Sequence, residues 1–300
     1  MDFFKIIKQS YDLTFKNKFL WFFGFFSISY MGINSFGNTS NYEVDKADLT
    51  SLQSSFPALY QIINFFKENS EATIVIGALL FLFCLIMFVV GIISQASLII
   101  SADKGSRQEQ ISFWTAWRAG AKHFWRLALL YLLQIVLLLV PMLFLGFIII
   151  ILMFLQQNFL AILLGLIFLV VYFLWFFTLS MIFPYSFRFL VLSENGIIES
   201  LRNSAKLLFN KLGQILVFYL LNYALIFLFY IGVFVAAVLV GAIFTAIGYG
   251  LYLVSGLVAG LYTAIIVIAS LSVLFAALGF LGAFISNNMT LFFKGLLTSN

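Results

Sequence analysis

The chain has 300 residues, 64% of them hydrophobic and only 9% charged, with a net charge of +5 and a mean hydropathy of +1.12. Soluble domains carry roughly 25% charged residues, and a chain this apolar cannot clothe a water-facing surface. Apolar runs of about 20 residues recur and alternating strands of about ten do not, which excludes an outer-membrane barrel and defines an all-α polytopic membrane helix bundle.

In chain order, an amphipathic interfacial helix is expected over about 2–17, carrying Lys5, Lys8 and Lys16 beside Asp2 and Asp12. No small-residue cleavage site follows cleanly, so it reads as a retained segment and not as a leader. The first span, 19–36, is diluted by Gly24, Ser27, Ser29 and Gly32. An external loop over 37–71 follows, acidic through Glu43, Asp45, Asp48, Glu68 and Glu71, with a short apolar piece at 59–66. Then come a span at 72–102, an interfacial helix at 109–124, and spans at 127–155 and 159–187 joined by Gln156, Gln157 and Asn158. A third interfacial helix covers 195–211. Residues 212–285 contain no charge and are too long for one crossing at about 1.5 Å per residue. Gly248-Tyr249-Gly250 and Ser255-Gly256 are natural turns, and two spans at 212–247 and 253–286 are expected.

This gives six spans in three hairpins. Of the sixteen basic residues, only Lys46 and Lys67 fall outside the segments assigned to the cytoplasm. The positive-inside rule then places both ends in the cytoplasm, in a bacterial inner membrane. Trp114, Trp117, Trp125 and Tyr185 fit the cytoplasmic boundary, and Tyr249 and Tyr252 the opposite one.

The three interfacial helices repeat a pattern. Ser10, Ala119 and Ser204 are each followed five positions later by Phe15, Phe124 or Phe209, then by a basic residue and the next span. Phe3, Phe4, Ile7, Tyr11 and Phe15 line one face of the first. Phe113, Trp114, Trp117, Ala121 and Phe124 line the second, and Ile197, Ile198, Leu201, Ala205 and Leu208 the third. Such helices lie in the headgroup plane, and their bases favour anionic lipid, the partner expected here. The plainer reading is that they anchor and orient the hairpins.

The segments EQISFWTAWRAGAKHFWRL and above all VLSENGIIESLRNSAKLLFNKLGQIL, each leading into long apolar helices, resemble a group of uncharacterised bacterial six-span membrane proteins. That group is related to the membrane domain fused to some glycerophosphodiester phosphodiesterases. The resemblance implies a membrane fold and a link to lipid or envelope metabolism. It brings no catalytic residues, and no soluble phosphodiesterase domain is present to carry that activity.

Chemistry is otherwise sparse. Lone Cys84, read as buried in LFLFCLIMF, and lone His123 can build neither a disulfide framework nor a metal cluster. Every ionisable residue is expected at a span end or in a loop, which argues against proton relays. No P-loop, HExxH or GxSxG motif occurs, so no catalytic residue, cofactor or metal site is expected, and no nucleic-acid partner. Gln95, Gln134, Ser180 and Asn222 would lie about 12–17 Å in from the cytoplasmic charges, as one inner-leaflet polar layer or as separate interhelical bonds. Gly256 and Gly260, with Gly241 and Gly248 nearby, would allow close helix approach; Pro141 and Pro184 would kink their helices. The expected function is non-enzymatic, a lipid-associated or envelope accessory factor. The alternatives are a transporter of a small solute or lipid and a membrane anchor for a cytoplasmic protein.

Overall fold

The computed structural model describes residues 2–33 and 69–298. Most of the expected external loop, the end of the first span and the apolar piece at 59–66 lie outside the described residues. Nine helices are described: α1 (Phe3–Lys16), α2 (Phe19–Ile33), α3 (Ser70–Ser106), α4 (Phe113–Lys122), α5 (Phe124–Phe154), α6 (Asn158–Leu192), α7 (Ile197–Asn210), α8 (Leu212–Val254) and α9 (Gly256–Thr298). Five of them, α3, α5, α6, α8 and α9, are long and apolar enough to cross a membrane. The chain is a multi-pass, all-helical membrane protein. The 15 described residues of α2 reach about 22 Å, short of the roughly 30 Å hydrocarbon core.

Local chemistry sets the helix ends. Asp2 caps α1 by accepting from the Lys5 amide at 3.1 Å. Ser112 and Thr115 close a reciprocal capping box on α4. Gln156 takes a left-handed conformation (φ 58°) at the end of α5, and the Gln157 amide reaches back to the Leu152 carbonyl at 2.9 Å, turning the chain into α6.

The long charge-free stretch breaks once, at Ser255, whose extended backbone (φ −160°, ψ 125°) separates two 43-residue helices. Spans ending at 247 and 286 are therefore corrected. The Gly248-Tyr249-Gly250 segment stays helical because a helical glycine costs only about 1 kcal/mol. Past 286, Met289, Leu291, Phe292, Phe293 and Leu296 are buried and prolong α9. At about 64 Å, α8 and α9 each exceed twice the hydrocarbon thickness.

Two tiers result. The base holds three buried clusters. Ile92, Ala96 and Ile99 of α3 pack with Leu127 and Leu130 of α5 and Phe183 and Phe187 of α6. The opposite face of α6, with Ile182, Tyr185 and Phe189, packs with Phe218 of α8 and Phe292 and Phe293 of α9. Leu20 and Phe23 of α2 meet Leu98, Ala116 and Ala283. Beyond the base, the apolar arms of α3, α5, α6, α8 and α9 leave most large side chains exposed, as lipid-facing surfaces do. Cys84 belongs to this outer surface of α3 and is exposed, not buried, among the described residues, where no helix packs over that turn.

Gly256, Gly260 and Gly241 do not carry close approach, since a Cβ on any of them would meet open space. Gly24, Gly279, Gly105 and Gly120 do. A Cβ on Gly120 would lie 2.6 Å from the Ile93 carbonyl oxygen, and one on Gly105 would fall inside Leu13 of α1.

Candidate functional site

The base gathers the charged ends of the helices. Lys294 near the end of α9 pairs with Asp103 of α3 at 2.6 Å and donates to Ser106 at 2.7 Å. Lys211, leading into α8, donates to the Leu296 carbonyl at 2.7 Å. Phe3 of α1 lies 6.0 Å from Phe292, ring to ring. The beginning of the described chain and the end of α9 therefore share one face of the bundle. The half-buried His123 joins α4 to α5; burial first, and Arg126 second, hold its pKa below the ordinary 6.5, with Glu194 opposing.

The interfacial helices turn an unexpected side inward. α1 buries Ser10 and Thr14, α4 buries Ala116 and Gly120, and α7 buries Ser200, Ser204 and Leu208. The large apolar residues divide: Leu208 is buried and Leu13, Phe113, Trp117 and Leu201 pack against the core clusters, whereas Phe4 is 80% exposed, Ile198 79% and Phe209 67%. Small residues let these helices lie close on the bundle, and the exposed bulky ones are left for an apolar solvent. The exposed bases Lys5, Lys8, Lys16, Arg118, Lys122, Arg202 and Lys206 accompany them. Trp114 and Trp125 are exposed as a boundary position requires, whereas Tyr185 is fully buried and is no interfacial anchor.

Beneath α1 lies a polar hub, Ser286-Asn287-Asn288-Met289-Thr290 of α9. Asn287 Nδ2 donates to Thr14 Oγ1 at 2.9 Å. Asn288 accepts from Ser10 Oγ at 3.4 Å and donates to Asn222 Oδ1 at 2.8 Å, tying α1 and α8 to the same residue. Arg188 of α6 donates through Nε to Thr290 Oγ1 (3.2 Å), through Nη2 to the Ser286 carbonyl (3.1 Å) and through Nη1 to the Pro184 carbonyl (2.5 Å).

Arg188, expected at a span end, lies four residues before the end of α6, and its burial was not expected. It is fully buried because α9 supplies two of its acceptors. The buried Tyr185 and Tyr219 hydroxyls have no hydrogen-bond partner among the described residues.

The four polar residues of the sequence reading are placed unequally. Asn222 belongs to the hub. Gln95 is buried against α2, where its Oε1 accepts from Ser27 Oγ. Gln134 is half-buried, and Ser180 is exposed and bonded to the Phe177 carbonyl of its own helix at 2.7 Å. None of the four bonds to another. Thr14, Asn287, Asn288 and Arg188 were missed; the run Ser286-Asn287-Asn288 directly after an apolar span was the available signal.

Comparison with family models, curated proteins and solved structures finds no match. The class defined by fold and site, a multi-pass helical membrane protein with a polar-laced base, stands on the geometry alone.

Proposed function

We propose that this chain is a non-enzymatic protein of the bacterial inner membrane whose base binds anionic phospholipid at the cytoplasmic face, a lipid-associated accessory factor of the envelope. The carrying observation is the side that α1, α4 and α7 present outward: exposed large apolar residues such as Phe4, Trp114, Ile198 and Phe209 interleaved with bases, over an underside fixed to the bundle. Each such base near an anionic surface contributes about 1 kcal/mol. The resemblance to six-span proteins linked to lipid metabolism agrees with this reading.

The positive-inside count supports a cytoplasmic base. α2 leaves the base and α3 returns to it, which supports α2 as the first leg of a sixth crossing. The test is reconstitution in nanodiscs of phosphatidylcholine with and without phosphatidylglycerol, followed by native mass spectrometry of retained lipid. Wild type should enrich phosphatidylglycerol. Replacing Lys5, Lys8, Arg118, Lys122, Arg202 and Lys206 with Gln should abolish the preference in a folded protein. Equal retention by both proteins would sink the proposal.

A further inference from the structure

The arms of α8 and α9 touch at two levels and part between them. At the base, Phe218 stacks on Phe292 with centroids 3.8 Å apart, and Phe229 lies 6.5 Å from Phe280. Toward the far end, the Tyr262 hydroxyl donates to the Phe244 carbonyl at 3.3 Å, and its ring lies 3.4 Å from where a Gly248 Cβ would stand. From above the base contacts a cavity of about 920 Å³ reaches from Val233 to Tyr249 on α8, with Phe244, Gly248 and Tyr262 of the far contact in its lining. Ala236, Ala237, Gly241 and Ala269 create the space by having little or no side chain.

We propose that this cavity binds a membrane lipid through its long acyl chain. Its volume lies in the range of ligand pockets, about 300–1,000 Å³. Its lining asks for an apolar ligand. The Thr245 and Thr263 hydroxyls donate within their own helices to the Gly241 and Ala259 carbonyls, both at 2.8 Å, and Tyr262 donates across to α8. Water needs two to four polar partners and finds few here. Ser270 and Tyr249, both exposed on the cavity lining, make no such bond among the described residues.

From Val233 to Tyr249, α8 rises about 24 Å along the cavity, a length that an extended acyl chain matches. A hydrocarbon chain roughly 5 Å wide and of that length needs roughly 470 Å³, well inside the cavity of about 920 Å³. Tyr249 stands at the distal rim, where a phenol donates to an ester carbonyl while the chain runs toward the base. The cavity lies in the arms, far along α8 and α9 from the basic helices, and this inference rests on membrane insertion and not on the base binding anionic lipid.

The test uses the full chain in phosphatidylcholine vesicles doped with diazirine-labelled palmitate or, separately, diazirine-labelled diacyl phosphatidylglycerol. Cross-linked residues are mapped by mass spectrometry. Residues 233–249 and 262–277 should take label about tenfold above the equally apolar arms of α5 and α6, the margin of one tenfold step in affinity. An excess with the phospholipid supports the proposal, and an excess with palmitate alone identifies a free fatty acid as the occupant and overturns it. Gly241→Leu with Ala237→Leu should remove the excess and leave the α5 and α6 label unchanged. Uniform labelling of both hairpins in the wild type overturns the proposal without recourse to any variant, as does an excess that survives filling. The six-Gln variant of the base should keep the excess, so the two proposals fail independently.

Discussion

Gly24 of α2 and Gly279 of α9 face each other so closely that a Cβ on Gly24 would lie 2.0 Å from the Gly279 carbonyl oxygen. A Cβ on Gly279 would lie 2.2 Å from that of Trp21. Both obstacles are backbone, which cannot swing aside. Replacing either glycine with Val should therefore destabilise the bundle by about 1–3 kcal/mol or more, the cost of overpacking. Gly241→Ala, which meets open space, should stay within about 0.5 kcal/mol. Thermal unfolding in detergent separates the two, and equal midpoints would contradict the packing of α2 on α9.

Asn288 spans two interfaces at once, accepting from Ser10 and donating to Asn222. Asn288→Leu leaves the buried Asn222 amide oxygen without its donor, and a loss of about 1–2 kcal/mol is expected. Asn222→Leu in the same chain removes the stranded group and should restore part of that loss. A double-mutant cycle on unfolding free energies reads this as non-additivity. Strict additivity would mean the pair is not coupled.

Arg188 brings a permanent charge into a buried place with only neutral hydrogen-bond acceptors around it. Arg188→Met, which removes charge and keeps length, should be neutral or stabilising by up to about 1 kcal/mol, as for other buried ions replaced by apolar groups. Arg188→Lys keeps the charge but offers one nitrogen where three atoms are bound, and should be the worse of the two. The reverse order of unfolding temperatures would show that the guanidinium charge itself is favourable there.

His123 gives the base a pH dependence. Its pKa in the folded chain lies below the ordinary 6.5, so an unfolded chain takes up the proton first. The neutral imidazole's contribution is complete above about pH 6.5 and is lost as pH falls through that value toward the folded pKa. Between about pH 7.5 and 5.5, wild type should lose more thermal stability than His123→Gln. Parallel curves would remove His123 from the account.

Much of the architecture is legible in the residues, since hydrophobic length fixes helices in a membrane almost by itself. The break at Ser255-Gly256 and the turn at Gln156-Gln157 were both readable as polar interruptions. The inward side of the interfacial helices was not. An amphipathic pattern says which side is apolar; in water that side turns inward, but at a membrane surface the lipid competes for it. Phe4 and Ile198 stay outside while Ser10 and Ser204 pack within. The burial of Arg188 was hidden for a related reason. A charge closing an apolar run shows where the run ends but not what covers the charge, and Ser286 and Thr290 lie on a helix remote in sequence. The Gly24–Gly279 approach was equally hidden, because Gly24 reads only as a residue that dilutes its own span and Gly279 lies in an uninterrupted apolar run.

Thr14 and Asn287, bonded across the base of the bundle, stand 273 positions apart in the chain. During synthesis α1 emerges long before α9 exists to receive it, and non-local contacts of this kind form late. Its exposed Phe4, Tyr11 and Phe15, with three lysines, suit it to wait at the bilayer surface in the meantime. Docking of Ser10 and Thr14 on the last helix then becomes the closing step of assembly. The membrane serves the newborn chain as a holding surface before it serves the finished protein as a solvent.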